Sequence, residues 1–213
     1  MSIKDLKHAI IVGENENAVT IAGTLIKRGV KPEEIVINGV TKAMDHLDKK
    51  CTVQNFCLLE LMLAGRAAMD VIDHLCSEEK MNADILLASK PFPRQKIISG
   101  TIKGDIHEIG KNIFSMIMKS YGYRIIDMGK DVDPANLVMS AIDHKADIIA
   151  VSSLITTTIP NVRKIRKYAT EQGNNKVKII AGGAALRQSS TQYLNVDYVA
   201  ETVFDGHHYI KSL

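Results

Sequence analysis

Hydrophobic residues recur at three- and four-residue spacing through the first third of the chain, which predicts amphipathic helices from residue 3 to residue 75. Gly29 and Pro32 mark the end of one helix and the first turn of the next. The apolar face of the last of these helices comprises Leu58, Leu61, Met62, Gly65, Ala68, Met69, Ile72 and Leu75. Four helices of this size predict a small antiparallel bundle.

The pattern changes near residue 90. Two prolines within residues 89–94 oppose regular structure and predict a linker over residues 89–95. Beyond it, strands are predicted over residues 96–102, 123–128, 147–152, 177–181 and 197–199, with helices over residues 111–121, 134–144, 159–172 and 187–194. Because continuous Ile/Val runs alternate with helices, we expect a parallel sheet covered on both faces.

These elements predict an α/β protein in two domains. A four-helix bundle over residues 1–88 precedes a flavodoxin-like, Rossmann-type domain over residues 96–213, which has a five-stranded parallel sheet. The length of 213 residues and the hydrophobic content of 46% are sufficient for a core in each domain. In such a sheet, ligands bind at the carboxyl ends of the strands, where the strand order reverses.

Composition excludes several classes of function. No apolar run reaches the roughly 18–20 residues that span a bilayer, and Asp5 close behind Lys4 is not typical of a signal peptide. We therefore expect a cytoplasmic protein that does not bind membranes. The net charge is only +3, the basic residues are scattered among acidic ones, and Trp is absent, so nucleic-acid binding is not expected. The three cysteines, Cys51, Cys57 and Cys76, form no C-x-x-C pair and are predicted to be reduced, buried thiols.

Asp105 and His107 lie two residues apart in a glycine-flanked loop that follows the first predicted strand. A neutral imidazole can bind a metal through one ring nitrogen while the other donates its N–H to a carboxylate. In an extended segment, positions i and i+2 point to the same side, as that pairing requires. A simple hydrogen-bonded surface pair is the alternative interpretation.

Two further loops are predicted to reach the same edge of the sheet. A loop rich in Ser and Thr, residues 152–158, follows the third strand, and Gly182-Gly183 follows the fourth. The hydroxyl of Thr158 is also suited to capping the next helix, and Gly-Gly to forming a tight turn. Since the carboxyl ends of parallel strands share one edge, we expect the histidine, the hydroxyls and the glycines to converge.

The pattern Asp105-x-His107-x-x-Gly110, Ser152-x-Leu154 and Gly182-Gly183 resembles the cobalamin-binding domain of cobalamin-dependent methyltransferases and mutases. The N-terminal helices resemble the helical cap domain of the methyl-carrying branch, notably over residues 61–64 and 66–69. The resemblance covers nearly the whole chain. It indicates a corrinoid protein of a methanol-, methylamine- or methoxyarene-type methyltransferase system.

The resemblance implies that His107 replaces the nucleotide base of cobalamin as the lower axial ligand of cobalt. Asp105 would then accept the second ring proton, and Thr158 stands where methionine synthase has a serine that completes a relay. The implied cofactor-binding residues are Gly104, Asp105, Ile106, His107, Glu108, Ile109, Gly110, Ser152, Leu154, Ile155, Thr156, Gly182, Gly183, Ala184, Glu201, Thr202 and the cap residue Leu58. The chain departs from the family in having Glu108 where Asp is common, and Cys51 near the position of an aromatic cap residue.

The implied function is to carry a methyl group on cobalt from a substrate:corrinoid methyltransferase to a second methyltransferase, whose acceptor is tetrahydrofolate or a thiol. A reductive activase is a further implied partner. One alternative is the cobalamin subunit of an adenosylcobalamin mutase, which normally lacks a helical cap. Another is a cobalamin-sensing regulator, which needs a DNA-binding module. The sequence does not choose among methanol, methylamines, betaines and methoxyarenes as methyl donors.

Overall fold

The structure is a computed structural model that describes residues 1–51, 57–78, 93 and 95–213. It divides into two compact units. The first comprises Met1–Arg94 with Met116–Tyr123, and the second comprises Gln95–Ser115 with Arg124–Leu213. Most of the predicted linker over residues 89–95 lies outside the described residues, so the domain boundaries near it stay a prediction.

The first unit is helical. Its helices are α1 (Ile3–Val12), α2 (Asn15–Lys27), α3 (Pro32–Ile35), α4 (Lys42–Lys50) and α5 (Leu58–Glu78). A π-helical segment, Val36–Thr41, joins α3 to α4, so the described residues form four helical rods and confirm the predicted bundle. Their apolar faces meet in a core that includes Leu6, Ile10, Ile35, Met44, Leu47, Ile72 and Leu75.

Local sequence explains how the first helix begins and ends. Ser2 and Asp5 form a reciprocal capping box at the start of α1, and Gly13 ends it in the left-handed conformation at φ 78°. In the π-helical segment, a Cβ on Gly39 would lie only 2.7 Å from Leu6 Cδ2. The absence of a side chain at Gly39 therefore permits close packing against α1.

The second unit contains a five-stranded parallel sheet in the order β2-β1-β3-β4-β5. The strands are β1 (Lys96–Thr101), β2 (Arg124–Asp127), β3 (Ile148–Ser152), β4 (Lys178–Gly182) and β5 (Tyr198–Val199). The helices that accompany the sheet along the chain are α6 (Ile109–Ser120), α7 (Pro134–Asp143), α8 (Ile159–Glu171), α9 (Thr191–Leu194) and α10 (Val203–Lys211). Helix α6 begins in this unit, and its residues from Met116 onward belong to the first unit. This strand order confirms the flavodoxin-like prediction and places the switch point between β1 and β3. The core of this unit includes Ile98, Ile149, Val151, Ile179, Leu137, Val162 and Ile165.

Two elements differ from the prediction. The helix predicted over residues 187–194 begins only at Thr191, because the amides of Leu186 and Arg187 bond to the Gly183 carbonyl in a turn. Ser190 then caps the short helix by accepting from the amide of Tyr193. Helix α10 was not predicted, since Gly206 and two histidines interrupt its apolar periodicity.

Within the described residues, no helix combines the length and the apolar character needed to cross a membrane.

Candidate functional site

Strand register brings the ends of three strands into line. Thr101 of β1 pairs with Ser152 of β3, which pairs in turn with Gly182 of β4. The three loops of the predicted site therefore leave the sheet side by side at the switch point. This is the edge where a doubly wound domain binds its ligand.

Asp105 connects the first loop to the second. Its side chain is fully buried, and Oδ1 accepts hydrogen bonds from the amide of His107 at 2.8 Å and from His107 Nδ1 at 2.7 Å. Oδ2 accepts from the amide of Leu154 at 2.7 Å and from Ser153 Oγ at 2.8 Å. Both carboxylate oxygens are thus satisfied by donors from the loops that follow β1 and β3.

These donors keep the carboxylate ionised. Burial by itself raises the pKa of Asp105, but the hydrogen bonds from His107, Leu154 and Ser153 favour the charged form and lower that pKa to about 2. At physiological pH the ionised Asp105 carboxylate can only accept hydrogen bonds, so His107 Nδ1 must be the donor.

His107 is held at one ring nitrogen and is otherwise accessible. The side chain is 53% exposed although its Nδ1 is held by a buried group. Since Nδ1 carries the proton, the lone pair is on Nε2, the tautomer that binds a metal. The predicted pairing of Asp105 and His107 is present, and Asp105 Oδ1 also accepts a hydrogen bond from the backbone amide of His107, which fixes the loop locally.

Ser153 joins Asp105 to Thr158. Ser153 Oγ lies 2.7 Å from Thr158 Oγ1, and both residues are buried. Because Ser153 gives its one proton to Asp105, Thr158 donates either to Ser153 or to the Ile155 carbonyl at 2.7 Å. The Thr158 hydroxyl makes no capping bond to α8, so the capping alternative was wrong.

Ser153 was not among the predicted site residues, although it lies in the Ser- and Thr-rich loop over residues 152–158. A hydroxyl one residue beyond a strand could equally face solvent. The loop conformation after β3 decided which of the five hydroxyls in residues 152–158 reaches Asp105.

The glycines have different roles. Gly183 has φ 102°, and a Cβ there would lie 2.2 Å from the backbone oxygen of Ser153, so this glycine is required by the loop that holds Ser153. A Cβ on Gly182, by contrast, would meet no atom within 4 Å. Gly104 has φ 92°, and its Cβ would lie 3.2 Å from Thr158 Cγ2. The threonine methyl therefore fits because Gly104 has no side chain.

Several predicted site residues surround His107 at the surface. Ile106, Ile109 and Leu154 are large hydrophobic residues that expose half or more of their surface. Ser152 Oγ lies 3.1 Å from Thr101 Oγ1, and Glu108 pairs with Lys130 at 3.4 Å. The other residues of these loops are partly or fully exposed: Gly110, Ile155, Thr156 and Ala184.

The remaining predicted residues are Glu201, Thr202 and Leu58. Thr202 uses its hydroxyl to cap α10 by accepting from the amide of Asp205. The amide of Glu201 donates to the same aspartate. Leu58 lies in the helical unit at the start of α5, where it is partly exposed.

Comparison with known proteins agrees with this geometry. Residues 95–206 match the model of a B12 binding domain, and residues 2–75 match a second B12 binding domain model. Trimethylamine corrinoid protein 2 of Methanosarcina acetivorans is 31% identical over 212 residues, which cover 99% of this chain and 95% of the relative. Dimethylamine corrinoid protein 1 of Methanosarcina mazei is 29% identical, with coverage of 96% and 92%.

Two crystal structures share the fold. A cobalamin-binding protein from Desulfitobacterium hafniense DCB-2 aligns with a TM-score of 0.78 at 19% identity, covering 100% of this chain and 98% of that chain. The methanol:cobalamin methyltransferase complex MtaBC from Methanosarcina barkeri contains a chain with the same TM-score at 20% identity, with coverage of 98% and 78%.

The fold, the loops at the switch point and the matched domains define a cobalamin-binding protein. The chain belongs to the family of corrinoid proteins that carry the B12 binding domain. The predicted family, cofactor class and methyl-carrier function are thereby confirmed.

Proposed function

We propose that His107 is the lower axial ligand of the bound corrinoid, and that the chain passes a methyl group between two methyltransferases. The observation that carries the proposal is an exposed imidazole whose Nδ1 is held by the buried carboxylate of Asp105 at 2.7 Å. When bound, the corrinoid supplies a cobalt centre that accepts and donates the methyl group.

The protein groups control the imidazole. Asp105 keeps the proton on Nδ1 and so leaves Nε2 as the metal-binding atom. Ser153 and the amide of Leu154 hold Asp105 in place from the opposite loop. Thr158 supplies a hydroxyl at the end of this chain of hydrogen bonds and can shift its proton between two acceptors. The arrangement adjusts to the binding or release of His107 without exposing the carboxylate.

The apolar surface near His107 suits a large, flat cofactor. Exposed hydrophobic side chains at a loop edge are typical of a ligand-binding surface. Ile106, Ile109 and Leu154 would contact the lower face of the corrin ring. The open space beside Gly182 would admit the displaced nucleotide tail. We assign Glu201 and Thr202 to the nucleotide end on the basis of the family resemblance.

The helical unit has an apolar surface of its own. Leu58, Leu59, Met62 and Leu63, all near the start of α5, are exposed. In the proposed function these side chains shield the upper face of the corrin from water, and they move aside when a partner enzyme docks. The match of the helical residues 2–75 to a B12 binding domain supports the carrier over a mutase subunit.

We further propose that the methyl donor is a methylamine. The relatives at 29–31% identity are named as dimethylamine and trimethylamine corrinoid proteins, and they align over almost their whole length. The partners would be a methylamine:corrinoid methyltransferase, a methyl-acceptor methyltransferase that uses a thiol or tetrahydrofolate, and a reductive activase.

The test of the ligand is the visible spectrum of His107→Ala loaded with hydroxocobalamin. We expect weakened binding and loss of the imidazole-ligated spectrum. His144→Ala removes an exposed histidine from the same unit and serves as the matched control. An unchanged spectrum in His107→Ala would refute the assignment.

The test of the donor is methyl transfer to the reduced protein. Titanium(III)-reduced protein is mixed with mono-, di- or trimethylamine or with methanol, each with its own methyltransferase, and the methylated corrinoid is measured by its absorbance. Methylation from an amine alone supports the proposal. Methylation from methanol alone contradicts the donor assignment but leaves the carrier function intact.

A further inference from the structure

Two buried cysteines and a glutamate lie together in the helical unit. Cys51 follows the last residue of α4, Cys57 precedes α5, and Glu60 lies in the first turn of α5. The two sulfur atoms and one carboxylate oxygen all lie within 4.8 Å of one another. Neither cysteine is in a disulfide and both are less than 10% exposed, whereas Glu60 is exposed. None of these residues is used by the corrinoid site described above.

We propose that Cys51, Cys57 and Glu60 bind a zinc ion. Tetrahedral zinc binds thiolate sulfur at about 2.3 Å and carboxylate oxygen at about 2.0–2.2 Å. Two ligand atoms of one zinc ion therefore lie less than 4.8 Å apart, the limit within which these three ligand atoms are found. Mixed sulfur and oxygen ligands suit zinc better than Mg²⁺ or Ca²⁺, which prefer oxygen alone. Three protein ligands leave a fourth position for water or an incoming thiol.

The surrounding charge supports a divalent ion. Lys50 Nζ lies 2.6 Å from Glu60 Oε2. One zinc ion, two thiolates, one carboxylate and the Lys50 ammonium sum to zero charge. A neutral assembly of this kind is compatible with the burial of both sulfur atoms, since uncompensated charge would be costly there. Binding releases the two thiol protons to solvent and involves no oxidation or reduction.

The helix ends explain how the ligands are held. The amide of Cys51 bonds to the Leu47 carbonyl at the end of α4, and the Cys57 carbonyl accepts from the amide of Leu61 in the first turn of α5. Both sulfur-bearing residues are therefore anchored to helices rather than free in a loop. Zinc would join the end of α4 to the start of α5.

The test uses reduced, full-length protein loaded with its corrinoid and equilibrated with Zn²⁺. We expect one zinc per chain by elemental analysis after removal of free metal, and the release of about two protons at neutral pH. X-ray absorption at the zinc edge is expected to show two sulfur ligands near 2.3 Å. Cys51→Ser and Cys57→Ser are each expected to weaken zinc binding by more than the roughly 10–100-fold that follows loss of a supporting residue.

Cys76→Ser is the matched control, because Cys76 is a buried free thiol on α5 outside the cluster. Glu60→Gln changes an exposed residue and tests the oxygen ligand without altering the core. Retention of zinc in Cys76→Ser with loss in both cluster variants supports the site. The absence of stoichiometric zinc in the reduced wild-type protein, or equal affinity in all three cysteine variants, would overturn it. The corrinoid spectrum, which reports on His107, is a separate readout.

Discussion

Replacement of Asp105 by Asn tests the central electrostatic feature of the site. The carboxylate is fully buried and has a pKa of about 2 in the folded protein, against 3.8 for an ordinary aspartate. Each tenfold change in proton affinity corresponds to about 1.4 kcal/mol, so the charged form contributes on the order of 2 kcal/mol to the free energy of unfolding at neutral pH. The Asn amide also turns a donor toward His107 or Leu154, which adds a loss that does not depend on pH.

The sign of the pH dependence follows from the lowered pKa. Because the folded state binds this proton less tightly than the unfolded state, the stabilisation is fully present above about pH 4 and disappears as the pH falls to about 2. Asn does not titrate in this range. The difference in stability between the wild-type protein and Asp105→Asn is therefore expected to be largest near pH 7 and to narrow below pH 4.

The assay is urea unfolding of the corrinoid-free protein, followed by circular dichroism from pH 7 to pH 3. The comparison requires that the free energy of unfolding falls with urea concentration at a similar slope in the two proteins. Asp143→Asn, an exposed carboxylate near the end of α7, is the matched control and is expected to stay within about 0.5 kcal/mol of wild type. A loss below about 1 kcal/mol at pH 7, or a difference that stays constant down to pH 3, would refute the reasoning.

Three further pairs of substitutions separate the roles of individual groups. Gly183→Ala is expected to lower the melting temperature by several degrees, because the new side chain would meet a positive φ and a backbone oxygen 2.2 Å from its Cβ. Gly182→Ala, whose Cβ would meet no atom within 4 Å, is expected to fold normally but to bind cobalamin more weakly. Ser153→Ala removes the hydroxyl between Asp105 and Thr158 and should cost about 1–2 kcal/mol in chemical unfolding; an effect equal to that of Ser189→Ala, at a partly exposed serine, would contradict the bridge. Asp127→Asn should destabilise more than Lys111→Met in the same assay, since it leaves the nearly buried Lys111 ammonium without the carboxylate it contacts at 2.5 Å, and the reverse order would count against this ion pair.

The fold could be predicted because its signals are local and repeated. Three- and four-residue spacing of apolar side chains predicted the rods of the bundle, and continuous Ile/Val runs predicted the strands. The exceptions are elements whose start depends on one polar contact. Helix α9 starts late because Ser190 caps it and the chain turns back on Gly183, and no periodicity in residues 187–190 marks that point.

The sequence by itself determined the candidate ligand and its orienting carboxylate, since Asp105 and His107 are neighbours in one short loop. It also determined that three loops would meet, because the edge shared by parallel strands follows from topology. Only the tertiary structure decided that Ser153 links Asp105 to Thr158, and that Cys51, Cys57 and Glu60 lie together. It also decided that Gly183 packs against the backbone of Ser153, whereas the space beside Gly182 is open. These contacts join residues from separate elements, and their distances depend on how the backbone turns after each strand and helix ends.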